Sequence, residues 1–468
     1  MWRGEEQRTA GMHIGDDLAA LGPFYWRHHA DLLAFHEEVE AAGGLLAVWA
    51  DLASRGVIEL LGGPATHPYL PLHADETTID AQLATGLAAH TTWAGRRPTG
   101  IWAPEMGYRP RGPVADATAE PTTVDAHGTP TLPMLPGERP GLEEHYARHG
   151  VDHFLVDAPT LVRAAGGDER DWTVRPDVPD PSRGDPYEVV HDGVLVGDGD
   201  VAAFARDLSV AYHVWSPTAG YPGNAWYRDF FARGSFGLHP SWRVTDKALE
   251  PHEKAPYDPD RAAARTTVDV DHLHGVLRDV LDPRPGQLVV AAYDTELFGH
   301  WWFEGPRWLE GLVRAIDDDP RLRTTTLASR LERRPPTRRL HLPESSWGYA
   351  KGHASWVTPE TRPMWRTIAA AGERLAPWLV SPLGDPGLRA TRDQAVRELA
   401  QLQCSDWPFM VTRGNAPDYA HERFRGHRDR FERLVTALEA GRPDEDGLQE
   451  AAALDHAPPD VSGFLGRP

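Results

Sequence analysis

LVVAAYDTELFGHWWFEG (288–305) runs apolar for six residues, Leu288 to Tyr293, and then turns abruptly polar. The apolar part reads as a buried strand, and Asp294, Glu296, His300, Trp301, Trp302 and Glu304 follow it at once. In folds built on parallel strands, ligands bind beyond the C-terminal strand ends. An acid set directly after such a strand is therefore placed to meet one. GIWAPE (100–105) has the same form: a short strand ending on Glu105.

Working outward, strand-like and helix-like stretches alternate. Residues 31–42, DLLAFHEEVEAA, place Leu32, Phe35 and Val39 on one helical face and end at Gly43-Gly44, a C-cap signal. GVIELLGGPATH (56–67) reads as a strand running into a loop, and DHFLVD (152–157) and GVLVG (193–197) as further short strands. Strands apolar on both faces, separated by helical stretches, predict a parallel α/β sheet or barrel rather than a sandwich. Residues near 109–141 and 166–190, rich in Pro and Gly without periodicity, predict small insertions. Beyond about residue 340 the strand pattern stops. Residues 360–378, 391–403 and 418–440 read as helices, the last with Phe424, Phe431, Leu434, Val435 and Leu438 at helical spacing. The domain scheme expected is 1–340 catalytic, 341–440 helical and 441–468 a flexible tail.

The 468 residues carry a formal net charge of −21, from 48 Lys and Arg against 69 Asp and Glu. That charge repels nucleic acid and anionic membrane surfaces, so neither is an expected partner. No apolar run approaches the roughly 20 residues of a membrane span, and MWRGEEQRTAG lacks the pattern of a signal peptide. With Cys404 as the only cysteine there is no disulfide framework or thiolate metal cluster, and a cytoplasmic location is expected. Seventeen tryptophans are many. Some fill the core, but flat indole faces also suit the axial C–H face of a sugar ring.

Hydrolysis or transfer at a glycosidic bond needs two carboxylates: one attacks the anomeric carbon or activates water, the other protonates the leaving oxygen. Glu105 and Asp294 are placed for this, and Tyr293, Trp301 and Trp302 offer Asp294 the apolar surroundings that raise a carboxyl pKa. For either acid taken singly, capping a helix or pairing with an arginine is an equally ordinary role. His272 and His274, like His28 and His29, read as solvated helix faces, since no third metal ligand lies nearby. No phosphate loop, nucleophile elbow or nucleotide fingerprint appears, which removes kinases, dehydrogenases and serine hydrolases. No metal and no cofactor is expected.

GIWAPEMGYRP (100–110), YDTELFGHWWFEG (293–305) and CSDWPF (404–409) resemble three short regions of glycoside hydrolase family 57, in the branch that contains 1,4-α-glucan branching enzymes. GVIELLGGPATHPYLPL (56–72) resembles a fourth region. VWSPTAGYPGNAWYRDFF (214–231) and SSWGYAKGHASWV (345–357) are also similar to stretches of that branch. The resemblance implies a (β/α)7-type barrel with a C-terminal α-helical domain that completes the cleft. It implies Glu105 as nucleophile and Asp294 as general acid/base. His300 and Asp406 would bond sugar hydroxyls, and Arg206 and Gly223 would hold the glucan. Trp215, Trp347 and Trp356 would line the donor and acceptor clefts, with His67 and Trp102 contacting substrate from the matched stretches. Met106 stands where the family usually has cysteine. The His-x-His-x-Pro strand that opens the family does not precede residue 56, so the barrel is expected to be incomplete. The implied function is branching of an α-1,4-glucan such as glycogen or amylose by retaining double displacement. A 4-α-glucanotransferase or amylase-type hydrolase would use the same two acids, and an inactive glucan-binding homologue would fit the missing strand.

Overall fold

The computed structural model describes residues 21–126, 129–166, 192–216, 220–232, 241–282 and 286–454. The chain divides into two compact units. One draws its described residues from 21–52 and 206–326, the other from 53–166, 192–205 and 327–454.

Among the described residues the second unit holds all the strands: β1 (Gly100–Ile101), β2 (Thr123–Val124), β3 (Pro130–Thr131), β4 (His153–Val156), β5 (Val194–Val196), β6 (Ala202–Ala205) and β7 (Arg339–Leu340). β2 and β3 make a small antiparallel pair within residues 109–141. The other five form one sheet in the order β1-β4-β6-β5-β7. All its pairings are parallel except β5 with β6, whose short connection makes them an antiparallel hairpin. HFLV and AAFA are buried at every residue, which is why neither shows an apolar–polar alternation. Gly100 is needed for the β1–β4 approach: a Cβ there would stand 2.1 Å from His153 Nε2. The buried His153 ring in turn pairs with Glu59 Oε1 at 3.1 Å. This mostly parallel sheet with helices and a helical C-terminal part agrees with the α/β, incomplete-barrel architecture expected from the sequence.

Two expected strands are not formed. The stretch 56–67 contributes only the isolated bridge of Gly62 to Ile101, through Gly62 N to Gly100 O and Trp102 N to Gly62 O, both 2.9 Å. Pro64, which has no N–H to donate, follows at once and ends the pairing. Among the described residues the stretch 288–293 makes one ladder-like bond, Asp207 N to Val290 O at 2.8 Å. Its neighbour is already turning there: Asp207 caps the helix Leu208–Trp215 by accepting from Val210 N. One residue of extended backbone is left to pair, too little for a strand.

The C-terminal helices Arg362–Leu379, Pro386–Leu402, Asp406–Arg413, Pro417–Glu439 and Glu445–Leu454 enclose an apolar core with Tyr69, Leu72 and Trp356. Phe424, Phe431, Leu434, Val435 and Leu438 are all buried in it, as their spacing predicts. Inside the bundle, Glu398 accepts from His427 and Arg430 at 2.7 and 3.0 Å. Burial opposes ionisation, but these partners hold its carboxyl below the ordinary range. The helix Glu445–Leu454 lies within the stretch expected as a tail. It is held by the buried Gly447 and Ala451 and by Arg433, which pairs with Asp444 and Glu450. Residues 455–468, and 167–190 of the expected insertion, lie outside the described residues.

In the first unit the core gathers Tyr25, Tyr227, Trp302, Trp308 and Leu273. The helix Leu21–Ala41 buries Leu21, Tyr25 and His29, spaced four apart. Phe35, on the apolar face read from the sequence, is 59% exposed, because the packed stripe lies over the first turns only. His272 is exposed, as a solvated face requires, and its Nδ1 bonds Tyr221 Oη at 2.7 Å, whereas His274 is half-buried with Nε2 3.2 Å from Asp319. His29 is buried. Among the described residues no helix is long and apolar enough to cross a membrane.

One buried group of the sheet unit makes stability depend on pH. His73 packs edge-on to Trp365, and burial pushes its pKa down to about 4, against the pull of Asp75 and with help from Arg109. Between the ordinary value of 6.5 and about 4, the unfolded chain binds a proton that the folded chain refuses. Stability present above that window is lost as pH falls through it. We expect His73→Gln to shrink the loss between pH 7 and pH 4.5 by about 2–3 kcal/mol in urea unfolding. An identical pH dependence in both proteins would exclude His73 as the cause.

Candidate functional site

The turn that follows β1 puts a carboxylate in an unusual setting. Pro104–Met106 is one tight turn, closed by Met106 N to Ala103 O and Gly107 N to Pro104 O, each 2.9 Å. Glu105 (φ 61°, ψ 19°) and Met106 (φ 48°) are both left-handed, which costs non-glycine residues on the order of 1–2 kcal/mol each. Met106 is fully enclosed. Glu105 is 8% exposed, and among the described residues its carboxylate bonds neither an arginine nor a helix N-terminus. Its Oε2 accepts from the Trp347 indole N–H at 2.6 Å and its Oε1 from the Ser405 hydroxyl at 3.1 Å. His67 Nε2 stands 3.5 Å from Oε1.

Three distant segments converge here, each fixed by backbone bonds. Trp347 N donates to Glu105 O at 3.0 Å, and Ser405 N donates to His67 O at 3.0 Å. Pro68 and Cys404 are bridged antiparallel. Trp102 packs edge-on to Trp347 with ring centroids 5.3 Å apart. Asp406, exposed at the start of its helix, is next in sequence to Ser405. The fold thus gathers Glu105, His67, Trp102 and Trp347, with Asp406 one residue from the cluster. Trp356 is placed otherwise. Its indole is completely buried, stacked on Tyr69 at 4.0 Å, and offers no open face. Burial, and then the nearby Asp406 charge, push the Cys404 thiol up to about 12, so it stays protonated.

Arg206, Trp215, Gly223, Asp294 and His300 belong to the first unit. The bond from Asp207 N to Val290 O lays the segment ending at Asp294 along residues 206–210, and Tyr293 Oη donates to Val210 O at 3.3 Å. Asp294 opens the 3-10 turn Thr295–Leu297. Past it the chain folds back sharply: Trp301 N donates to Glu296 O, Trp302 N to Leu297 O and Gly299 N to Trp302 O. This turn sends the neighbouring indoles to opposite sides. Trp302 is buried among Tyr221, Tyr227 and Trp308, whereas Trp301 is 39% exposed and lies 5.5 Å from the equally exposed Trp215. His300 sits between Trp301 and Phe230. Gly223 lets the Lys247 amine approach its backbone, where a Cβ would stand 2.1 Å from Nζ. Glu304 is structural: it accepts from Tyr257 Oη at 2.7 Å and Arg228 N at 3.1 Å, and burial pushes its pKa up.

Sequence reasoning passed over Ser405, although it adjoins Asp406 in CSDWPF, and Asp157, although DHFLVD ends on it. The two indoles of the opening stretch give a direct test of the turn that separates them. Trp302→Ala should lower the unfolding free energy by about 3–5 kcal/mol. Trp301→Ala should leave it within about 0.5 kcal/mol. Equal losses in urea unfolding would contradict this division.

The chain is similar to known proteins over most of its length. Residues 17–343 match Glycosyl hydrolase family 57, and residues 381–462 match the C-terminal part of 1,4-alpha-glucan branching enzymes. The chain is 32% identical to a 1,4-alpha-glucan branching enzyme of Thermococcus kodakarensis over 85% of its length, and 35% identical to a probable 1,4-alpha-glucan branching enzyme of Mycobacterium tuberculosis over 84%. It spans 56% and 66% of the length of those relatives. The crystal structure of a GH57-type branching enzyme from Pyrococcus horikoshii superposes with a TM-score of 0.86 at 28% identity, over 100% of this chain and 83% of that one. With the family match running across the turn of Glu105 and the turn of Asp294 alike, the chain belongs to Glycosyl hydrolase family 57.

Proposed function

We propose that this protein is a 1,4-α-glucan branching enzyme acting by retaining double displacement. Glu105 attacks the anomeric carbon of an α-1,4-linked glucosyl unit while Asp294 gives its proton to the departing O4, leaving a glucosyl-enzyme ester. Asp294 then takes the proton from the O6 hydroxyl of an acceptor chain as that oxygen displaces Glu105, forming an α-1,6 branch and restoring both acids. The observation that carries the reading is the setting of Glu105: a buried carboxylate in a strained turn, with Trp347 and Ser405 each bonding one oxygen, is fixed in direction before substrate arrives.

The other residues take supporting roles in this reading. His67 and Trp102 beside Glu105, with Trp347, meet the sugar at the cleaved bond. Asp406 and His300 bond hydroxyls, and Arg206 and the backbone at Gly223 hold the chain. Trp356 supports the loop behind Trp347 instead of touching glucan, since its indole is enclosed. Residues 1–340 carry the catalytic barrel and 341–440 complete its cleft, a division supported by the bond from Ser405 to Glu105. The partner is an α-glucan, and the strong negative charge and single cysteine suit work on a neutral polymer in the cytoplasm. The exposed pair Trp215 and Trp301 favours transfer over hydrolysis, because apolar indole faces hold an acceptor chain and displace water.

Amylose incubated with the protein should gain α-1,6 linkages, read by proton NMR and by debranching. Glu105→Gln should lower that rate at least about a thousandfold. Reducing ends without branches would favour the amylase-type reading, and binding without turnover would favour the inactive homologue. In Asp294→Asn, an α-glucosyl fluoride should leave one glucosyl unit on the peptide containing Glu105, visible by mass spectrometry. Label on any other acid would overturn the assignment of the nucleophile.

A further inference from the structure

The loop that brings Trp347 to Glu105 is held from behind by a buried ion pair. Its start is clamped to the strand-end region: Ser345 exchanges backbone bonds with Tyr108 at 2.8 and 2.9 Å, and its hydroxyl accepts from Thr160 Oγ1 at 2.8 Å. The loop then closes on itself. Ser346 N donates to Lys351 O at 3.0 Å, Ser346 Oγ donates to Gly352 O at 2.7 Å, and Gly348 N donates to Ser346 Oγ at 3.0 Å. Ala350 and Lys351 are both left-handed, at φ 55° and 58°. This turn sends the Lys351 amine to Asp157 Oδ2 at 2.7 Å. Asp157 is fully buried, is the first residue after β4, and starts the helix Ala158–Ala164 by accepting from Ala158 N.

Asp157 and Thr160, both from the junction of β4 with its helix, therefore grip the loop at Lys351 and at Ser345, on either side of Trp347. Packing alone gives no reason for a charge here, since an apolar pair of similar volume would avoid the desolvation penalty. What an ion pair adds is a fixed direction. We propose that Asp157 and Lys351 are positioning residues: their ion pair ties the Trp347 loop to the end of β4 and so sets the indole N–H against Glu105. The proposal rests on Glu105 as the attacking carboxylate, and it assigns the orientation of that carboxylate to a pair that touches no substrate.

Removing only one partner strands a buried charge and risks the fold, so the principal variant is the double substitution Asp157→Asn with Lys351→Met, in which both charges go. We expect it to melt close to the wild type, with kcat for branching lowered roughly tenfold to a hundredfold and KM for amylose little changed. Trp347→Phe should cost a similar factor alone and little more when added to the double variant, because all these changes break one connection. Independently of activity, the Trp347 indole N–H resonance in 15N-labelled protein should shift and exchange faster in the double variant. Lys351→Arg, which keeps the charge but moves its attachment, should shift the same resonance should the double variant not fold. A folded variant with unchanged kcat and an unchanged indole resonance would overturn the proposal, as would costs that multiply fully with Trp347→Phe. Wild-type protein inactive on glucan would defeat the functional reading alone, leaving the indole resonance to judge the positioning.

Discussion

A glutamate in the left-handed region is held there only by what surrounds it. The turn at Pro104–Met106 places two non-glycine residues at positive φ in succession, and the cost is offset by bonds that reach it from three distant parts of the chain. Trp347, Ser405 and His67 cannot be moved independently, since Trp347 N binds the Glu105 carbonyl and Ser405 N binds the His67 carbonyl. The strained acid and its neighbours form one cooperative object, and the sheet, the loop at 345–357 and the C-terminal helices are arranged to keep it closed.

Three acids follow strands in this fold, and their partners separate them. Asp157 and Asp207 each accept a backbone N–H at the start of the next helix, a role that needs a short carboxylate and no ligand. Glu105 spends both oxygens on side chains from far along the sequence. A carboxylate that completes a helix has one oxygen spent on local structure, the other oxygen of Asp157 going to Lys351. One held by an indole and a hydroxyl is oriented, with lone pairs left over. Position after a strand is common to all three, and their hydrogen-bond partners tell them apart.

Aromatic side chains are divided in the same way. Trp302, Trp308 and Trp356 are interior packing, and Trp215 and Trp301 turn flat faces outward. The sharp fold-back at residues 297–302 makes this division between adjacent residues possible, with Gly299 at φ 91° allowing the chain to reverse. Trp301 and Trp302 are identical in type and adjacent in sequence, and no periodicity in a stretch this short says which one faces in.

The sequence by itself determined the fold class, the helical C-terminal part and the two candidate acids, because these rest on local information: apolar runs without alternation, helical spacing from Phe424 to Leu438, and short motifs that resemble a family. It overestimated two strands, within 56–67 and at 288–293, since apolar content is local but a ladder needs both segments extended and able to bond, and Pro64 and the cap at Asp207 stop the pairing after one step. It did not show that Trp356 is enclosed, since burial depends on which neighbours cover a given face. Ser405 and the pair of Asp157 with Lys351 lay beyond it altogether. Their meaning comes from contacts between residues hundreds of positions apart, and only tertiary folding brings those side chains within hydrogen-bonding distance.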